Sequence, residues 1–598
     1  MTTQPLKPAE YLKAAREIEA VHGDTARTLA VISTFTAELL RPYLIVESHQ
    51  LDCLGRPWVG PFGQLEQLVL DEASALWQQS PDVLWIAARL EDVDPRLVHD
   101  HPHIGPEATR QRLDAVAQRL VNLARAARDK HRASILVSNL TCSAAHQLNP
   151  FDANDPDGFV HLLAETNRQL ARDLSTIPDA NVFDYAATVA SAGADEWSDP
   201  KLWYMARSGC SSDNMIPLAR AVARATAAQL RPAAKCIVLD LDNTLWGGVL
   251  GDDGPEGIKL GDDYPGNVFK DFQAALLGLR HRGFLLAIAS KNDEQTVLDM
   301  LDTHPEMLLA RDQFAHIAAN WDPKPVNLRR IAEALNIGLD SLVFVDDNPV
   351  ERAAVRAELP MVHVVELPPD PLRYLAALRD VPLFDRPRDL QEDRQRADMY
   401  QNEAQRRQVE QQATSVEDFL RSLQMEAEVG QCDSTTLERI HQLIQKTNQF
   451  NLTTRRHNLE DVRRFAAADD ARVAWLRLRD RYGDLGLVCV GIIEKLDERA
   501  WVVDTLLMSC RVMGRQVEDA FLSYLAGEAR DAGAQTLCGV FRRTPKNTPV
   551  KDFYQTKGFK PVGGEEEQRF EAELTNDAFP WPDVICRVSK STKESVGA

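Results

Sequence analysis

Apolar positions along this chain follow two rhythms. Short runs bounded by turn residues alternate with longer stretches in which apolar residues recur at helical spacing. "RTLAVISTF" (27–35), "DVLWIAARL" (82–90) and "ASILVSNL" (133–140) read as strands, and residues 106–130, 157–174 and 214–229 as amphipathic helices. That alternation predicts a parallel sheet wrapped by helices over residues 1–230. "RPAAK" (231–235) reads as a short linker. A second strand–helix run fills 235–384, where "FLLAIASKN" (284–292) and "SLVFVDDNPVER" (341–352) are apolar strands running into polar tips. The charged stretch 385–414 suits an exposed connecting helix. Residues 415–590 read as mixed α/β, and 591–598 as a frayed tail. No internal repeat emerges.

Composition narrows the class. A length of 598 residues predicts about three or four domains. Hydrophobic content of 44% and charged content of 26% are those of a soluble globular protein. The opening "MTTQPLKPAEYLKAAREIEA" reads as a polar amphipathic helix without the apolar run of a signal peptide. No segment offers the roughly 18 uninterrupted apolar residues of a membrane span. Nine cysteines without a CxxC pair argue for a reducing, cytoplasmic setting and against a disulfide framework or zinc finger. A net charge of −21 argues against general nucleic-acid binding, leaving a local basic patch for an acidic protein partner.

The candidate chemistry sits at strand ends. "CIVLDLDNTLWGG" (236–248) runs from apolar strand into Asp240 and Asp242. The strand "FLLAIASKN" ends at Ser290, with Asn292 just beyond it. "WDPKPVNLRRIAEAL" (321–335) places Lys324 near the start of a helix, and "SLVFVDDNPVER" ends in Asp346 and Asp347. In a doubly wound sheet, ligands sit outside the carboxyl ends of the strands. Several carboxylates converging there repel one another unless a cation neutralises them, and oxygen-only ligands suit Mg²⁺. An Asp at a strand tip can act as a nucleophile, and a second can protonate the leaving oxygen and later activate water. Ser290 and Lys324 can hold phosphoryl oxygens.

This set resembles the haloacid-dehalogenase-like (HAD) superfamily: Asp240, Asp242 and Thr244 match its first motif, Ser290 its second, Lys324 its third, and Asp346 with Asp347 its fourth. The resemblance implies Asp240 as nucleophile and Asp242 as general acid/base. It implies Mg²⁺ held by the Asp240 carboxylate, the Asp242 backbone carbonyl and Asp346, with Asp347 beside them. It also implies a Rossmann-like domain, and the 50 positions (290 − 240) between Asp240 and Ser290 leave room for a flap (247–267) and a helix but no cap domain. "DLDNTLWGGVLGDDG", "VFVDDNPVER", "QKTNQFNLTTRR" (445–456) and "LLMSCRVMGRQVE" (506–518) together resemble the FkbH-like family. That resemblance implies a HAD domain joined to an acyltransferase-like one. The family's members take 1,3-bisphosphoglycerate, remove phosphate and load glyceryl onto an acyl carrier protein for polyketide assembly. The N-terminal third resembles an SGNH-hydrolase-like (flavodoxin-like) domain. Ser33 stands at its nucleophile position, but "DPKLWYMARSG" (199–209) lacks the His of a DxxH pair, so a degenerate docking domain is expected.

Residues 501–537, with "NTPVKDFYQTKGF" (547–559), follow the strand–turn–helix–strand order of the GNAT acyltransferase fold. There a Gly-rich loop cradles pantetheine pyrophosphate at a helix N-terminus. Arg511 and Gly514 match that loop, whereas Gln516 replaces its last small residue, so carrier-bound phosphopantetheine fits better than coenzyme A. Cys510, expected just before a helix whose dipole lowers a thiol pKa, is the preferred acyl-accepting cysteine. Cys236, about 13 Å along the strand from the catalytic tip, is expected in the core. Asn448, Gln449, Asn451, Thr453 and Arg455 form a polar cluster that is either a turn with a strand start or a recognition site for glyceryl hydroxyls or pantetheine. Arg455, Arg456, Arg542, Arg543 and Lys546 are the basic residues expected to meet an acidic carrier. His441 is the nearest upstream imidazole in sequence, with nothing to place it beside Cys510. The expected activity is a Mg²⁺-dependent glyceryl transferase/phosphatase. A plain phosphatase of small metabolites and a non-catalytic docking protein are the alternatives.

Overall fold

The computed structural model describes residues 7–21, 27–51, 57–142, 152–335, 337–387, 406, 409, 413–447, 450–544, 547–564 and 567–588. The chain divides into two compact units, residues 1–394 and 395–598.

The first unit holds two five-stranded sheets. One is built from β1 (Leu29–Ser33), β2 (Trp58–Val59), β3 (Val83–Ala87), β4 (Ser134–Ser138) and β5 (Ala180–Phe183), in the order β2-β1-β3-β4-β5. Every pairing is parallel. β1 and β3 are buried at every residue, which is why they read as unbroken apolar runs rather than as alternation. Strand β3 stops at Ala87, and Leu90–Val93 is already helical, so the run read as one strand turns a corner. The helix expected over 106–130 begins at Leu97 and breaks at Gly105, whose φ of 76° lets the chain kink before Pro106. Apolar periodicity is legible only beyond that kink.

The second sheet comprises β6 (Cys236–Leu239), β7 (Leu285–Ser290), β8 (Phe314–Ala319), β9 (Leu342–Val345) and β10 (His363–Val364), in the order β10-β9-β6-β7-β8, again all parallel. The chain runs outward through β7 and β8, then returns to the other side of β6. The order therefore reverses between β6 and β9, where such sheets place ligands. Between β6 and β7 lie the short helix Leu250–Gly257 and the helix Gly266–His281, with no inserted cap domain. Arg224 of the helix Met215–Leu230 grips Asp385 with two hydrogen bonds, 2.8 and 2.9 Å, fastening the end of this domain to the N-terminal one.

The second unit is a mixed sheet of β11 (Met425–Gln431), β12 (Phe450–Asn451), β13 (Ala471–Asp480), β14 (Gly483–Lys495), β15 (Ala500–Met508), β16 (Thr536–Arg542), β17 (Lys560–Gly563), β18 (Glu567–Glu573) and β19 (Ile585–Val588). The main path is β17-β18-β16-β15-β14-β13-β11-β19. β15 and β16 pair in parallel only from Ala500–Val503 with Thr536–Gly539. Beyond that point β12 enters beside β15, and Leu452 links both strands: its N–H donates to Leu506 O (3.1 Å) and its carbonyl accepts from Arg542 N–H (2.9 Å). The helix Val517–Asp531 packs in the core on one face, and the helices Leu437–Lys446 and Leu459–Ala467 pack on the other.

Most of the connecting stretch 385–414 lies outside the described residues. Within it Arg406 is buried, not exposed, and forks onto Asp480 at 2.6 and 2.8 Å. Among the described residues no helix is long and apolar enough to cross a membrane.

Candidate active site

Four loops at the carboxyl ends of β6, β7, β8 and β9 bring the strand-tip residues together. Asp240 N–H donates to Val345 O at 2.9 Å, so the tips of β6 and β9 stand side by side. The carboxylates of Asp240, Asp346 and Asp347 converge, with one oxygen from each within 4.8 Å of the others. Asp346 is fully buried, and its Oδ2 accepts no hydrogen bond. Lys324, 2% exposed, is the first residue of the helix Lys324–Ala334 and projects into this cluster. Its ammonium donates to Asp240 Oδ1 at 2.5 Å and to the Ala289 carbonyl at 2.6 Å, and stands 3.3 Å from Asp346 Oδ2.

The electrostatics follow from this packing. Burial, with the Asp240 charge adding to it, pushes Asp346 up to about 7 despite Lys324. The same causes raise Asp347. Burial works against charge on Lys324, but Asp240 and Asp346 outweigh it and hold its pKa above the ordinary value. A single ammonium thus faces three carboxylates, one of which keeps a buried oxygen unsatisfied. Oxygen-only, anionic and crowded, this donor set fits a hard divalent cation.

Asp242 is oriented differently. Its Oδ1 accepts from Trp246 Nε1 (3.0 Å) and Leu250 N–H (2.9 Å), and its Oδ2 from Asn292 Nδ2 (2.9 Å). Its side chain is therefore outside the converging trio, and only its backbone carbonyl is left for a metal. Asn292 also donates to Ser290 Oγ at 3.2 Å, tying the tips of β6 and β7. Thr244 is fully buried, and its Oγ1 accepts from Asp347 N–H at 3.2 Å. The loop between is pinned by Asn243, at φ 54°, whose Oδ1 accepts from Gly248 N–H. Arg352 is a site residue that no motif spacing singles out in the sequence. It donates to the carbonyls of Asp346 (2.8 Å) and Asp347 (2.6 Å), fixing the turn after β9. Its place in "DDNPVER", one turn into the helix capped by Asn348, was the available signal.

The C-terminal candidates fare unevenly. Asn448, Gln449, Lys546 and the side chain of Cys510 lie outside the described residues. Cys510 opens a short turn, Cys510–Val512, and the long helix starts only at Val517, so the expected placement just before that helix is corrected. Asn451 is fully buried; its amide accepts from Thr454 N–H and donates to the Thr447 carbonyl, so it builds a turn and is closed off from substrate by its burial. Thr453 donates to the Asp504 carbonyl. Arg455 pairs with Asp504 and Glu567, and Arg456 donates to the Ile444 carbonyl. Of the expected basic patch, Arg456, Arg542 and Arg543 are the described residues left exposed.

Arg511 donates to Ser509 Oγ at 3.3 Å, while Gly514 (φ 77°) and Gln516 (φ 61°) shape the loop before the helix. Beside it lies a cavity of about 740 Å³ lined by Gln516, Asp519, Lys557, Glu573, Trp581 and Asp583 among others. Lys557 is already paired with Asp519, so the lining is acidic and repels a pyrophosphate. Cys236 is a core residue whose thiol pKa burial raises. Ser33 is 1% exposed and donates to the Phe35 carbonyl.

No family model and no curated protein matches the chain. Among solved structures, the N-terminal part of the protein BF1531 from Bacteroides fragilis, described as containing a phosphatase domain complexed with Mg, aligns with 64% of this chain and 100% of its own. The identity is 27% and the TM-score 0.55. A putative GNAT-family acetyltransferase from Desulfovibrio desulfuricans aligns with 25% of this chain and 99% of its own, at 11% identity and TM-score 0.21. The ribosomal-protein-S18-alanine N-acetyltransferase from Escherichia coli covers 25% and 94%, at 12% and 0.20. The chain is a multidomain α/β protein in which two parallel-sheet domains precede a mixed α/β unit.

Proposed function

We propose that this chain is a Mg²⁺-dependent phosphatase of the HAD type joined to an acyl transferase. In this reading it takes the glyceryl group of 1,3-bisphosphoglycerate, removes phosphate and loads an acyl carrier protein for polyketide-type assembly, as the FkbH-like resemblance implies. The observation that carries the phosphatase half is the buried Lys324 among three convergent carboxylates at the switch point between β6 and β9. The Bacteroides fragilis structure, with its Mg-complexed phosphatase domain, supports it.

Mg²⁺ would be held by Asp240, Asp346 and the Asp242 carbonyl, with Asp347 alongside; when bound it offsets their repulsion and the charge of a phosphoryl group. The chain's own residues do the rest. Lys324 holds Asp240 Oδ1, which leaves Oδ2 to attack phosphorus. The bond from phosphorus to the substrate oxygen breaks, and that oxygen takes its electron pair and a proton from Asp242. Asp242 then takes a proton from the water that attacks the phosphoaspartate, releasing phosphate and restoring Asp240. Trp246, Leu250 N–H and Asn292 keep the Asp242 carboxylate in place through both steps. Ser290 and Lys324 hold phosphoryl oxygens. Phosphopantetheine enters only as the arm of the carrier, and neither nucleic acid nor membrane is a partner.

One observation favours a second reading, a phosphatase of small phosphorylated metabolites without acyl transfer. The cavity beside the expected pantetheine loop has an acidic lining, which opposes a phosphorylated arm. Mass spectrometry of a carrier protein incubated with the enzyme, Mg²⁺ and 1,3-bisphosphoglycerate separates the two. A glyceryl adduct supports the transferase; phosphate release with an unmodified carrier supports the phosphatase alone.

A further inference from the structure

The second unit contains a pair of side chains that the strand-tip chemistry does not use. On β15, Thr505 pairs with Ile492 and Val503 with Ile493, so Asp504 is one residue too many: a β-bulge. A bulge re-aims the side chains around it, and here Asp504 and its successor meet the same imidazole. His457 Nε2 lies 2.7 Å from Asp504 Oδ2 and 3.2 Å from Thr505 Oγ1. Asp504 is 4% exposed in the middle of a strand that, Thr505 apart, is apolar. Burial works against its charge, but His457 and Arg455 outweigh it and hold its carboxyl below the usual range. Facing this pair are Arg455, Glu567 and Glu494, the last raised chiefly by burial and next by the Asp504 charge.

The carboxylate fixes the tautomer. In the neutral ring, an Nε2–H donating to Asp504 leaves the lone pair on Nδ1, to which no hydrogen bond runs among the described residues. The Phe465 ring packs edge-on at 5.2 Å and steadies the imidazole, whose side chain keeps 15% of its surface open. A carboxylate-oriented imidazole with its second nitrogen unengaged is the arrangement of a general base. The bulge lies directly after the last β15–β16 pair, where the two strands part.

We propose that His457 is the general base of the acyl-transfer half-reaction and that Asp504 is its positioning residue, the substrate being the thiol of a pantetheine-type arm. This rests on the acyl-transferase reading above. In the step, the thiol gives its proton to His457 Nδ1 as sulfur bonds to the acyl carbon. The bond from that carbon to the leaving group, phosphate or thiolate, breaks with its electron pair, and the imidazolium proton passes to the leaving group.

The test uses the full chain with pantetheine, 1,3-bisphosphoglycerate and Mg²⁺, reading acylated pantetheine by mass spectrometry and the fold by calorimetric melting. His457→Gln, which keeps a hydrogen bond to Asp504, should lower acylation by about 10²–10⁴-fold. His457→Ala should do the same and regain activity with added imidazole, a rescue that a merely structural role would not give. Asp504→Asn should lower acylation in the same direction, its side-chain N–H favouring the wrong imidazole tautomer. If wild type acylates pantetheine and His457→Gln does so within about threefold, the inference is wrong while the transferase reading survives. If wild type acylates nothing, both fall.

Discussion

Replacing Lys324 with Met removes one charge from a site built around it. Lys324 Nζ stands 2.5 Å from Asp240 Oδ1 and 3.3 Å from Asp346 Oδ2, and both the lysine and Asp346 are almost wholly buried. At an effective dielectric of about 20, these contacts amount to roughly 5–7 kcal/mol each before desolvation. Most of that is offset by the burial of the ions, and removing one partner of a buried pair typically costs about 3–5 kcal/mol. Lys324→Met nearly preserves the volume, so the loss is electrostatic rather than a cavity. The expected result is a first-unit melting transition destabilised by about 3–5 kcal/mol in chelator, because three carboxylates are left without a cation. Mg²⁺ should then stabilise the variant more than the wild type, since a cation now supplies the missing neutralisation. Phosphate release should fall about 10²–10³-fold even at saturating Mg²⁺, because the ammonium that stabilises the phosphoryl oxygens is gone. Calorimetry with and without Mg²⁺, alongside a phosphate-release assay, reads all three. A variant that melts like wild type in chelator and gains no more from Mg²⁺ would show that Lys324 does not counterbalance these carboxylates.

Other consequences are simpler. Asp240→Asn should abolish phosphate release with the fold intact by circular dichroism, because an amide cannot attack phosphorus; near-normal turnover would remove Asp240 from its role. Asp346→Ala should raise the Mg²⁺ concentration for half-maximal activity, and an unchanged half-saturation point would leave Asp346 as a turn residue. Asp92, pushed up to about 6 chiefly by burial, holds its proton more tightly when folded, so the stability it lends is full below about pH 4 and lost as pH rises through about 6. Asp92→Asn should therefore be more stable than wild type at pH 8, by about 2–3 kcal/mol at most, and equal to it near pH 4, as denaturant melts at both pH values would show. Carrier affinity should weaken with salt through Arg456, Arg542 and Arg543, and a flat response would indicate an apolar interface.

The strand-tip site was legible because its members are polar residues ending apolar runs, a pattern that periodicity exposes. Asp240, Ser290, Asp346 and the position of Lys324 needed no tertiary information beyond a parallel sheet. Arg352 was not legible in the same way, since it acts on backbone carbonyls and looks like any helix arginine. The His457–Asp504 pair spans 47 positions and depends on a bulge, which no spacing rule reveals. Its one trace was an acid inside "WVVDTLLM", a strand that otherwise has no reason to carry one. Asn451 misled in the opposite direction: a polar residue in a polar cluster proved to be wholly buried and committed to the backbone. The kink at Gly105 likewise hid the first turns of a helix whose apolar repeat starts only after Pro106.

The central claim is that Asp240 becomes covalently phosphorylated. Borohydride reduces an aspartyl phosphate to homoserine, so quenching the enzyme with borohydride during turnover, followed by peptide mass spectrometry, reads the site directly. Homoserine is expected at position 240, dependent on both substrate and Mg²⁺ and absent from Asp240→Asn. Steady phosphate release with Asp240 unmodified, or the same conversion at another residue, would contradict it.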